Sequence, residues 1–116
     1  MDKLITQIAS LGVPGLILLF LMFFSGYAGA AAITTALATL GGPLGMLGGI
    51  GVLLLLTKIS EGITKYGFEN LAKGVVTEMK TQGKTTVEIV KEIESFPLIS
   101  KELKQKLLEF VKNTFN

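Results

Sequence analysis

Between Lys3 and Lys58 the chain contains no Asp, Glu, Lys, Arg or His. A soluble globular domain spreads about 25% charged residues along its length. Here only Asp2 and Lys3 precede the gap, and ten lysines and eight glutamates follow it. An uncharged run of 54 residues, Leu4 to Thr57, is the composition of a chain that meets lipid.

Within the gap, Leu16 to Phe24 is the strongest apolar run. At a few tenths of a kcal/mol per residue, its transfer into a bilayer is worth about 3–5 kcal/mol. Pro14 suits the first turn of the helix that carries this run. Nothing charged interrupts continuation through the Ala-rich stretch to Leu40. Leu16 to Ala38 makes a rod of about 34 Å, enough for a hydrocarbon core of about 30 Å. Gly41-Gly42-Pro43 breaks it. The second apolar segment, Pro43 to Thr57, is about 22 Å long as a helix. It either crosses, with the break below the surface, Lys58 snorkelling or Ile59 and Ile63 extending the apolar face, or turns back as a re-entrant helix. Ahead of both, Leu4, Ile8 and Leu11 stand at helical spacing in a short amphipathic lead-in that suits the membrane interface. Ala28-Gly29-Ala30 has the form of a signal-peptide cleavage site, but Asp2 cancels Lys3 and the apolar character resumes beyond it, so a retained helix is expected. Two spans put both termini on one side, and Lys58, Lys65 and Lys73 assign that side to the cytoplasm.

The second span, "GGPLGMLGGIGVLLLL", is costly as a helix in water, since each Gly loses roughly 1 kcal/mol against Ala. In lipid, close backbone approach drives helix association, and small residues permit it. Gly45 and Gly49 stand four apart, and the first span offers Gly26 and Ala30 at the same spacing. These rows serve either the intramolecular hairpin or contacts between copies. A lone hairpin has little interior, so a homo-oligomer is expected. Polar side chains are few in the spans, and Thr35 and Thr39, one turn apart, are the candidates for lining a pore. The alternative for each is bonding back to the preceding turn's carbonyl.

The polar half reads as a small helical domain. Ile59, Ile63 and Tyr66 share a helical face. The phase shifts near Gly67, and Phe68, Leu71, Val75 and Met79 continue on a new face. Gly83 suits a C-terminal cap, and Thr85 to Glu88 fits a capping box opening a helix to about Ser95. Pro97 ends that helix. Ser100 can cap the last one, which carries Leu103, Leu107, Phe110 and Val111 on one side. The expected fold is therefore all-α: a two-span transmembrane hairpin over residues 1–57, a cytoplasmic helical domain over 58–116, and a homo-oligomeric assembly in the bilayer. Without Cys or His, neither a zinc site of the usual ligands nor a Ser-His or Cys-His nucleophile can be built. Neither an enzyme nor a cofactor is expected. Arg is absent too, which removes the bidentate phosphate fork. Lys101, Lys104, Lys106 and Lys112 make the last helix locally basic, either as a solvated face or as a shallow site for an anionic ligand. Glu88, Glu92 and Glu94 read as a solvated exterior.

Three functions fit these features. The first is an oligomeric membrane pore controlled by the polar domain. The second is a membrane-anchored adaptor presenting Phe96, Leu98, Phe110 and Phe115 to a protein partner. The third is a holin-like lytic peptide. The outline of "PGLILLFLMFFSGYAGAAAITTALATL", "GGPLGMLGGIGVLLLL" and the Lys/Glu tail "KTTVEIVKEIES…ISKELKQKLLEF" resembles the small channel effectors of bacterial antiphage defence of the Hailong type. That resemblance implies an ion channel governed by a nucleotide or nucleic-acid ligand that a partner nucleotidyltransferase makes. It assigns no role to any individual residue.

Overall fold

The computed structural model describes residues 2–25, 42–96 and 100–114, with side-chain surroundings for residues 3–24, 54–96 and 100–114. Its elements are helices: α1 (Asp2–Ser10), α2 (Val13–Ser25), α3 (Gly42–Tyr66), α4 (Phe68–Thr81), α5 (Thr86–Ser95) and α6 (Lys101–Thr114). The all-α class follows directly, with no strand among the described residues.

The apolar periodicity of the polar half produces the packing it predicts. Leu71, Val75, Val76 and Met79 of α4, Ile89 and Ile93 of α5, and Leu103, Leu107 and Val111 of α6 join one core. The helix ends form as their residue types dictate. Gly67 separates α3 from α4 at φ 87°, a backbone region that costs side-chain-bearing residues energy. Gly83 follows α4 at φ 104° and donates its N–H to the Lys80 carbonyl at 2.9 Å. At the start of α5 the Thr85 hydroxyl oxygen accepts the Glu88 N–H at 3.1 Å, and the Glu88 carboxylate accepts the Thr85 N–H at 3.3 Å. Ser100 Oγ accepts the Leu103 N–H at 3.1 Å and opens α6.

The first two helices depart from the sequence expectation. α1 is not left as a peripheral lead-in: Ile5, Ile8 and Ala9 are buried, and the helix lies mainly against α4. The chain then turns at Gly12, and α2 sets off at 116° to α1 with Pro14 in its first turn. Leu16, Ile17, Leu18 and Leu19 are fully buried and Phe20 is 1% exposed. α2 packs against α1, α3, α4, α5 and α6. The run that reads as the first membrane span is thus the central helix of the bundle. The physical reason is that a helix apolar on all sides satisfies lipid and a protein interior equally well. At 13 residues, α2 is about 20 Å long as described.

No single helix among the described residues is both long and apolar enough to cross a membrane; α1 and α2 pass that test only together, across their bend. The expected continuation of the first span through residues 26–41 lies outside the described residues. The second segment forms a helix that continues past Thr57 through Ile59 and Ile63 to Tyr66. α3 runs unbroken for 25 residues, so the expected boundary between 57 and 58 falls inside it. Its last part joins the bundle through Leu55 and Ile59, both buried.

Two glycines set the spacing of α1 against its neighbours. A β-carbon on Gly62 of α3 would come within 2.6 Å of the Leu4 side chain. A β-carbon on Gly74 of α4 would collide with the Ile5 side chain. Small residues therefore permit close helix approach in this fold at Gly62 and Gly74.

Candidate functional site

α3 connects the two chemically different parts of the chain. Its first sixteen residues, Gly42 to Thr57, carry no charge, and the rest carries Lys58, Glu61 and Lys65. The helix is continuous over 25 residues, about 37 Å at 1.5 Å per residue. Past its apolar end the helix packs against α1 and α4, with Leu55 and Ile59 buried and Gly62 next to the Leu4 and Leu71 side chains.

Where α3 meets α1, an open groove of about 260 Å³ is lined by Lys3, Leu4, Gln7, Lys58, Glu61, Gly62, Lys65 and Tyr66. Its floor exists because Leu4 lies over the gap at Gly62. Three lysines against one glutamate leave it positive. Lys65 Nζ sits 5.3 Å from the centre of the Tyr66 ring. The Tyr66 phenol is held below its usual pKa, first by a hydrogen bond with the chain's amino terminus and then by Lys65.

At the end of α2, five phenylalanines from three helices form a corner. Phe68 of α4 stacks on Phe23 with ring centroids 4.1 Å apart, and meets Phe20 edge-on at 4.9 Å and Phe24 at 5.4 Å. Phe110 of α6 closes the cluster against Phe20 at 5.5 Å. Phe23 and Phe24 remain 45% and 42% exposed, unusual for rings of this size, and they lie next to the point where the undescribed residues 26–41 begin.

The residues singled out from the sequence fall as follows. Gly45 and Gly49 lie in α3, and their packing lies outside the description; Gly26, Ala30, Thr35 and Thr39 lie outside the described residues altogether. The four lysines of α6 differ in their surroundings. Lys104 Nζ donates to the Glu94 carbonyl at 3.0 Å, while Lys106 Nζ stands 4.2 Å over the Phe24 ring. Lys101 and Lys112 are exposed. Two of the three glutamates read as solvated exterior have partners: Glu88 completes the capping box, and Glu92 pairs with Lys84 at 2.7 Å. Phe96 and Phe110, considered as partner contacts, pack instead against the core. Among the described residues there is no group of three or more acidic side chains arranged to hold a metal ion.

The groove was not legible from the sequence, because its lysines come from both sides of the uncharged gap. The one available signal was that Lys3 and Lys58 bracket it. No family model, curated protein or solved structure matches this chain.

Proposed function

We propose that this chain forms an oligomeric membrane pore whose helical bundle controls opening. The observation that carries the reading is the continuity of α3: one helix begins in the uncharged segment and ends embedded in the charged bundle. A helix of this kind transmits a change of bundle packing to the segment in lipid, and the reverse. On this reading the arrangement with α2 sealed among α1, α4 and α6 is the closed state, in which the most apolar run is kept from water. The pore lacks an ionised side chain over residues 4–57, so its barrier is an apolar constriction and its selectivity is weak. A role in bacterial antiphage defence, with a nucleotide or nucleic-acid ligand acting on the bundle, accords with the resemblance in outline noted above.

Ion flux from vesicles reconstituted with the full chain tests the proposal. Flux that rises with protein-to-lipid ratio more steeply than linearly supports an oligomeric pore. Quantitative recovery of the chain as an aqueous monomer, with no flux at any ratio, rejects it.

A further inference from the structure

Lys3 is the last charge before the uncharged stretch and Lys58 the first after it, and the fold brings both to the same groove. If the uncharged part of α3, Gly42 to Thr57, lies in lipid, Lys58 stands where that helix reaches the plane of the lipid phosphates, and the fold brings Lys3 beside it. Lys65 adds a third ammonium two turns along α3, and Gln7 adds a neutral amide that can donate a hydrogen bond. Lysine binds phosphate as a point charge and needs no bidentate geometry, which suits a chain without arginine. The floor is apolar, built of Leu4 over Gly62, and can carry the glycerol end of a lipid. The lowered pKa of Tyr66 reports the same positive potential, since its causes are cationic neighbours that favour an anion at the phenol oxygen.

We propose that the groove between α1 and α3 is a headgroup site for an anionic phospholipid, with Lys3, Lys58 and Lys65 around its phosphate. The proposal rests on the membrane reading and adds a specific ligand class to it. It distinguishes the groove from the basic face of α6, where Lys104 and Lys106 already serve the fold. A basic residue near an anionic headgroup is worth enough that removing two lowers affinity roughly 30-fold.

The chain has two tyrosines, Tyr27 and Tyr66, and no tryptophan, so a Tyr27→Phe background makes Tyr66 fluorescence a reporter of the groove. In detergent, the full-length chain is titrated with short-chain phosphatidylglycerol, short-chain phosphatidylcholine and glycerol phosphate. The expected result is saturable binding of phosphatidylglycerol, at least tenfold tighter than either of the others. Lys3→Gln with Lys58→Gln lowers that affinity roughly 30-fold, while the charge-matched pair Lys80→Gln with Lys91→Gln leaves it within about twofold. Equal binding of the two lipids, or equal loss in both lysine pairs, overturns the site. Glycerol phosphate binding as tightly as phosphatidylglycerol overturns the lipid assignment in favour of a soluble phosphate ester. Flotation of the same protein with phosphatidylcholine vesicles separates the two levels of failure. A chain that floats but shows no lipid preference loses only this site, and one that never floats loses the membrane reading with it.

Discussion

Phe23 and Phe68 stack face to face, with ring planes 8° from parallel, and so fasten the last turn of α2 to the first residue of α4. The contact joins the uncharged part of the chain to the charged part, and Phe20 repeats it one turn earlier in edge-on geometry. A double-mutant cycle of Phe20→Leu and Phe68→Leu should therefore show a favourable coupling of about 0.5–1.5 kcal/mol. Denaturant unfolding followed by circular dichroism in one fixed detergent measures it. Zero coupling would mean that the end of α2 does not sit on α4.

The helices of the polar half were legible because each shows the core only one face. Leu103, Leu107 and Val111 recur at helical spacing, and Thr85 with Glu88 announces a helix start by side-chain chemistry alone. α2 offers no such clue. Leu16 to Phe20 are apolar on every side, and nothing in their order tells a lipid environment from five neighbouring helices. The groove was hidden for a different reason: it depends on α1 folding back over Gly62 and Gly74, and the notch a glycine leaves has no meaning until its occupant is known. The threonines and small residues of the first span, Gly26, Ala30, Thr35 and Thr39, fall outside the described residues.

The caps around α5 make a sharper pair of predictions. Thr85→Ala removes the acceptor for the Glu88 N–H and should cost about 1 kcal/mol. Lys104→Glu replaces a donor to the last turn of α5 with a negative charge at a helix C-terminus, where a cation is worth about 0.3–1 kcal/mol. Both losses should appear in unfolding midpoints. Only the first should speed amide exchange at Val87 and Glu88, because only it frees the start of α5.

Gly74→Ala pits two effects against each other. In an open helix the change gains up to about 1 kcal/mol from propensity. Here the new methyl group meets Ile5, and overpacking of a buried contact costs about 1–3 kcal/mol. The prediction is a net loss that Ile5→Val largely restores, because the valine lacks the δ-carbon that lies nearest. Thermal unfolding of the two single variants and the double variant decides it. A gain from Gly74→Ala alone would mean that α1 does not pack on α4 this closely.

Tyr66 gives the groove a pH signature. Its folded pKa lies below the phenol value of 10.0, so the folded state favours the phenolate. The associated stability is present in full above the unfolded pKa and is lost as pH falls through the lowered folded value. In the Tyr27→Phe background, tyrosinate absorbance should rise at lower pH in the folded chain than in denaturant. Lys65→Gln should move the folded midpoint back toward the ordinary value, since Lys65 is one of its two cationic causes. An unmoved midpoint would remove Lys65 from the groove's electrostatics.

If α3 transmits bundle packing to the lipid segment, interrupting it must disconnect the two. Thr57→Pro removes one N–H from the helix and crowds the carbonyl four residues earlier, a disruption of about 3 kcal/mol or more at the centre of α3. Thr57→Ala keeps the helix and serves as the control. In reconstituted vesicles, Gly74→Ala should alter flux in the wild-type and Thr57→Ala backgrounds, because it shifts α1 against α4 and both press on α3. In the Thr57→Pro background the same substitution should leave flux unchanged, although the bundle still feels it in an unfolding experiment. Persistence of the Gly74→Ala effect across the proline would show that the signal bypasses α3. The bundle would then have to act on the membrane segment through the connection at the end of α2, where Phe23 and Phe24 stand exposed.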